Sequence, residues 1–134
     1  MIRQATQNDY IRLLRSIQNK KESKSYINRE YLQSDIANHN CYIKEENGQI
    51  LAMISLIFDN HYQSHYLKRL IIPNKKNRGK NISEEMIRYF QDNFQYSLSI
   101  TPWENNIPMR KIIEKLGFKF QYKFLEKYML YTYH

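Results

Sequence analysis

The sequence predicts a single α/β domain in which one mixed sheet carries four helices, and three observations support this. The length of 134 residues suits one hydrophobic core, since single domains run to roughly 100–200 residues. Stretches of alternating polarity and stretches with apolar residues at helical spacing follow one another in the order β, α, α, β, β, β, α, β, α, β, β. Finally, Asn47 and Gly48 separate the apolar-rich runs CYIKEE and ILAMISLIF, and both tolerate the positive φ that a tight hairpin turn requires.

The elements follow in order. Residues 2 to 5 read as a short strand, and Thr6 with Asp9 three positions on is a helix-start signal ahead of Tyr10, Leu13, Leu14 and Ile17 on one face. The polar stretch Lys20 to Ser25 reads as a loop, after which Asn28 caps a second helix that turns Leu32 and Ile36 inward. Beyond the hairpin, HYLKRLII is a strand ending at Pro73. A cationic loop then leads to a helix from about Ile82, with Met86, Phe90 and Phe94 on its apolar side and Glu84 and Glu85 in the first turn, where the dipole favours acids. YSLSIT is another short strand. Asn106 caps the next helix, Pro108 sits in its first turn, Met109, Ile112, Ile113 and Leu116 form its apolar stripe, and Gly117 closes it. In the last segment Phe118, Phe120, Tyr122 and Phe124 alternate with Lys119, Gln121 and Lys123 as a half-buried strand, and YMLYTY is a final strand.

Composition excludes several classes. No apolar run approaches the ~20 residues that would cross a bilayer, and MIRQATQND shows no secretory pattern, so the expected setting is soluble and cytoplasmic. A single cysteine, Cys41, rules out an internal disulfide and a cysteine-cluster zinc site, and the histidines at 39, 61, 65 and 134 lack zinc-helix spacing. The net charge of +8 raises the possibility of nucleic acid as partner. The cations are scattered, however, apart from Lys20, Lys21 and Lys24 and a second group of Lys75, Lys76, Arg78 and Lys80; that scatter argues against nucleic acid as the main partner.

The second group lies in IIPNKKNRGKNISEEM, a strand passing through a basic loop into a helix start. Unpaired N–H groups at a helix N-terminus, with the dipole behind them, bind anions; a solvated basic loop ahead of an amphipathic helix is the alternative. Here the chain resembles the GNAT superfamily of acetyltransferases, whose pyrophosphate loop has the pattern Q/R-x-x-G-x-G/A. Arg78, Gly79, Lys80, Asn81, Ile82 and Ser83 match it in order, with Asn81 standing for the first motif glycine and Ser83 for the second small residue. NNIPMRKIIEKLGFKF resembles the family's later helix and strand through Asn106, Met109, Glu114, Lys115, Leu116, Gly117 and Phe118. Both segments occur in the family's order, and the resemblance extends over residues 50 to 124.

The resemblance implies one mixed, mostly antiparallel central sheet flanked by four helices, over a single domain of residues 1–134. It implies acetyl-CoA as co-substrate and an acetyl transfer to a primary amine of a small molecule or peptide. The backbone of Leu70, Ile71 and Ile72 would meet the acetyl group and pantetheine, and the loop from Arg78 to Ser83 the pyrophosphate. Asn106 would stand beside the cofactor and Met109 along the pantetheine. For the base that removes the amine proton, His65, Glu104 and His61 are candidates. Where many relatives have a tyrosine to protonate the departing thiolate, this chain has Ile113; Tyr122 and Tyr128 are substitutes. Residues 18 to 30 would form one wall of the acceptor groove, and their lysines favour an acidic or neutral acceptor over a polycation. The aromatic final strand, YMLYTYH, could pair across a homodimer. A GNAT-fold module that binds CoA or a partner without catalysis, and a basic nucleic-acid or ribosome-associated protein, are the competing readings.

Overall fold

The computed structural model describes residues 1–18, 29–61, 63–79 and 81–134. The expected Lys20 to Ser25 loop, the Asn28 cap, the inward face of Ile17, Lys80 and most of the expected acceptor wall lie outside the described residues.

Strand β1 (Ile2–Gln4) leads through a single 3₁₀ turn into α1 (Tyr10–Gln18), and α2 (Arg29–Ala37) precedes the hairpin of β2 (Cys41–Glu46) and β3 (Gln49–Asp59). Then come β4 (Ser64–Ile71), α3 (Ile82–Asn93), β5 (Ser97–Ile100), α4 (Ile107–Lys115), β6 (Lys119–Phe124) and β7 (Tyr128–Tyr133). The seven strands form one sheet in the order β1-β2-β3-β4-β5-β7-β6. Every neighbouring pair is antiparallel except β4 and β5, so the expected mixed, mostly antiparallel sheet with four helices is what the chain builds.

Two cores cover the two faces. Ala52, Ile54 and Leu56 of β3 join Met86, Ile87 and Phe90 of α3 and Ile113 of α4. On the other face Met53 of β3 and Ile71 of β4 join Ile43, Leu13 of α1, and Leu32 and Ile36 of α2. A central strand buried on both faces needs a continuous apolar run, which is why ILAMISLIF shows no clean alternation. At the N-terminus Asp9, 3% exposed, accepts from the Thr6 N–H (2.7 Å) and from both Arg3 guanidinium nitrogens (2.8 and 3.0 Å), tying β1 to α1.

Two expectations change. YMLYTY is not an exposed edge: β7 lies between β5 and β6, where its backbone groups are taken by both neighbours. The edge is β6, which is exposed over Lys119–Lys123 rather than half-buried. Its alternation is also broken. Phe120 pairs with Tyr131 and Tyr122 with Leu130, so the extra residue Gln121 puts the two aromatic side chains on opposite faces.

Candidate active site: a cleft through the sheet

The site follows from one interruption in strand pairing. Strands β4 and β5 run parallel from Ser64↔Ser97 to Leu67↔Ile100, and there the ladder ends. Beyond Leu67, β4 continues to Ile71 paired only with β3, leaving its other edge unpaired at the point where β5 turns away through Thr101 and Pro102. Into this splay opens a cleft of about 760 Å³, lined by Tyr66 to Ile71, Ile100 to Trp103, Asn105, Asn106, Met109, Phe124, Tyr128 and Ile54.

The cleft runs from one face of the sheet to the other. Leu70 pairs with Ile54 and packs on the α3/α4 core, and Met109 of α4 lies on the same side. Arg69, paired with Ser55, points to the opposite side, where it bonds Asp35 of α2. Tyr66 shares that α2 side, its hydroxyl hydrogen-bonded to Thr101 Oγ1. Tyr128 and Phe124, directly paired and stacked with centroids 5.4 Å apart, close the end of the cleft.

The described part of the loop that follows β4 is built on two residues of positive φ. Gly79 and Asn81 both adopt left-handed backbone, with φ of 78° and 65°, and a Cβ at Gly79 would meet nothing within 4 Å. Asn81 is the residue before α3, yet its side chain makes no capping hydrogen bond; what suits it to the position is its tolerance of positive φ. The first helical bond runs from Glu85 N–H to the Asn81 carbonyl, leaving the N–H groups of Ile82, Ser83 and Glu84 without intrahelical acceptors. The acids of this turn are drawn sideways: Glu84 Oε1 pairs with Lys115 Nζ at 2.8 Å and Glu85 with Lys44 at 2.5 Å. Lys115 holds the Glu84 carboxyl below its usual pKa. Arg78 folds back so that Nη2 donates to the Ile72 carbonyl at 3.1 Å, fastening the loop to the end of β4.

Of the residues read from sequence, Leu70, Ile71, Asn106, Met109 and Tyr128 line the cleft. Asn106 also caps α4, its Oδ1 accepting from the Met109 N–H at 3.3 Å. Ile72 and the described residues of the Arg78 to Ser83 loop lie beyond the lining. None of His65, Glu104 and Tyr122 is brought to it. His65 faces α3 in an aromatic nest, 4.8 Å from the Phe58 centroid and 4.6 Å from that of Phe94. Its Nδ1 is buried with no hydrogen-bond partner among the described residues, and burial pushes its pKa below the usual histidine value. Glu104 Oε2 is paired with Lys123 Nζ at 3.3 Å, and Tyr122 is 58% exposed. Ile113, at the position of the relatives' tyrosine, is fully buried in the α3/α4 core. Sequence reading missed Tyr66, Lys68, Arg69 and Thr101. Lys68-Arg69 inside an apolar strand was the visible signal, but strict alternation would have split the two between faces.

A mixed seven-stranded sheet whose two parallel strands part, with a cleft where they part, is the arrangement of the acyl-CoA N-acyltransferase fold. Comparison with solved structures gives the same answer. An acetyltransferase of the GNAT family from Streptococcus agalactiae superposes with a TM-score of 0.80 at 17% identity, covering 98% of this chain and 93% of that one. Diaminobutyrate acetyltransferase EctA from Paenibacillus lautus, in complex with L-2,4-diaminobutyric acid and coenzyme A, gives 0.75 at 15% identity, covering 98% and 92%. Arabidopsis thaliana Naa50 with a bisubstrate analogue gives 0.76 at 15% identity, covering 100% and 97%. No family model matches the sequence, nor does any curated protein. The chain therefore has the GNAT fold.

Proposed function

We propose that this protein is an N-acetyltransferase that takes acetyl-CoA from the α3 side of the cleft and a primary amine from the α2 side. The observation that carries the reading is the unpaired edge of β4 beyond Leu67, which opens onto the cleft, with Gly79 and Asn81 at positive φ ahead of α3. Acetyl-CoA, when bound, supplies an acyl group activated as a thioester. The chain supplies position and charge. Free N–H groups on the edge from Lys68 to Ile71 can pair with amides and polarise a carbonyl. The N–H groups of Ile82 and Ser83 suit a pyrophosphate, and Arg78 of the same loop adds positive charge. Asn106 and Met109 would flank the pantetheine between these points.

Proton handling falls to hydroxyls. Among the described residues no carboxylate and no imidazole lines the cleft; the hydrogen-bonded Tyr66–Thr101 pair and Tyr128 do. A lysine-like amine, pKa about 10.4, is only ~0.04% neutral at pH 7, so these groups would relay its proton to water. Tyr128 takes the thiolate-protonating role that Ile113 cannot fill. No described helix is long and apolar enough to cross a membrane. The same lack of a lining base supports one rival, a CoA-binding module without catalysis.

Titration of acetyl-CoA separates these readings from a basic nucleic-acid binder. At a hundred times Kd the ligand should stabilise the fold by about 2.7 kcal/mol, a rise in midpoint of several degrees. Arg78→Glu should weaken binding, and an unchanged affinity would remove the loop from the site. Release of free CoA on adding an amine then separates enzyme from module. No rise with millimolar acetyl-CoA refutes both.

A further inference from the structure

Two consecutive cations stand on the α2 side of the cleft. In the β3/β4 ladder Ser55 pairs with Arg69 and Leu56 with Leu67, so Lys68 is an extra residue. Such a bulge cancels the alternation that would send neighbours to opposite faces. Both side chains turn to Asp35 of α2: Lys68 Nζ lies 3.3 Å from Oδ1, and Arg69 Nη1 lies 2.9 Å from Oδ2. Asp35 is only 5% exposed and serves to position the two cations. Both line the cleft, and the Arg69 guanidinium is stacked 5.1 Å from the centre of the Tyr31 ring.

The charges at this point do not balance. Two cations face one carboxylate, that of Asp35 behind them, and among the described residues no acid lines the cleft itself. Arg69 makes one hydrogen bond to the described residues, through Nη1, out of five N–H donors arranged as a planar fork. Side-chain exposures of 17% for Lys68 and 19% for Arg69 mean that water screens the surplus charge poorly, so an arriving anion gains more here than at an open surface. A planar carboxylate fits the fork in two-point fashion.

We propose that the acceptor is an amine that also carries a carboxylate, held by Arg69 with Lys68 beside it, and that polyamines are excluded by the same charges. The carboxylate site stands on the geometry of β4 and α2; that its occupant is the acetyl acceptor rests on the transferase reading above. The orientation is productive, because an acid anchored at Arg69 puts the rest of the molecule into the cleft beside the open β4 edge.

The test uses the full chain and two readouts. N-acetylglycine and N-acetylglycinamide are titrated while the Arg Nε–H resonances are followed by NMR. The carboxylate should bind at least tenfold more tightly and shift the Arg69 signal; Arg69→Gln should abolish the difference. Arg69→Lys keeps a cation on Asp35, guarding against loss of the fold, and should lose most of the preference with the fork. In the second readout, CoA release is measured with glycylglycine against glycylglycinamide, phosphoethanolamine against ethanolamine, and spermidine. At least a tenfold higher kcat/KM for glycylglycine than for its amide is expected. Equal binding of acid and amide, a larger gain in the phosphate pair, or preference for spermidine overturns the proposal. Selective binding of the carboxylate with no CoA release from any amine would leave the anion site standing and remove the transferase reading.

Discussion

Asn81 offers the sharpest test of the loop. Its φ of 65° places it in the left-handed region, and its side chain caps nothing, so replacement removes no capping bond and changes only the backbone preference. A residue with a β-carbon pays roughly 1–2 kcal/mol for this conformation, most for a β-branched side chain and least for asparagine. Asn81→Val should therefore lower stability by about 1–2 kcal/mol, or else let the turn relax and misaim the N–H groups of Ile82 and Ser83. In the second case acetyl-CoA binding weakens by up to ~5- to 30-fold, the equivalent of the same energy at 1.4 kcal/mol per decade. Asn81→Gly should bind as well as the parent or better, since glycine adopts this backbone without strain. Calorimetric titration and thermal midpoints on the three proteins distinguish the two routes. Loss of binding in the glycine variant, or parental stability and affinity in the valine variant, would refute the argument.

Two further outcomes follow from buried groups. Cys41 is fully buried and burial pushes its thiol up to about 12; a thiol reagent at pH 8 should leave it unmodified in the native protein and react on unfolding, so native labelling would contradict the fold at β2. His65 has its folded pKa depressed by burial, so the unfolded chain binds the proton more readily and stability is lost as pH falls below about 6.5, the unfolded histidine value. His65→Phe should flatten that loss in urea midpoints at pH 7.5 and 5 while leaving CoA-release rates unchanged; a collapse of those rates would return His65 to the chemistry.

Much of the architecture was legible because local signals agreed with one another. The Asn47–Gly48 turn, the Asn106 cap and the Gly117 terminus each state a backbone requirement that only a few residue types meet, and the structure gives Gly117 a φ of 93°. The loop proposed for the cofactor was visible for the same reason, since Gly79 and Asn81 are residue types that accept positive φ, and both adopt it. The side proposed for the acceptor was not. Lys68 and Arg69 share a face only because of a bulge, and a bulge is set by how two strands meet. Tyr66 was hidden among 12 tyrosines, and nothing local separated Tyr128, which lines the cleft, from Tyr122, which does not. His65 was singled out by strand and charge type, whereas its position along β4, below the splay and under α3, decided its surroundings.

A cleft open at both faces of the sheet also bears on the order of events. If one ligand arrives from the α3 side and the other from the α2 side, neither has to leave before the other can enter, and both can be resident together. A double-displacement route would need a side chain at the crossing to carry the acyl group between visits. Among the described residues the lining has no cysteine or histidine, and the sole cysteine of the chain is sealed beneath α1 and α2. The geometry thus suits direct attack within a ternary complex, with initial-rate lines that intersect rather than run parallel.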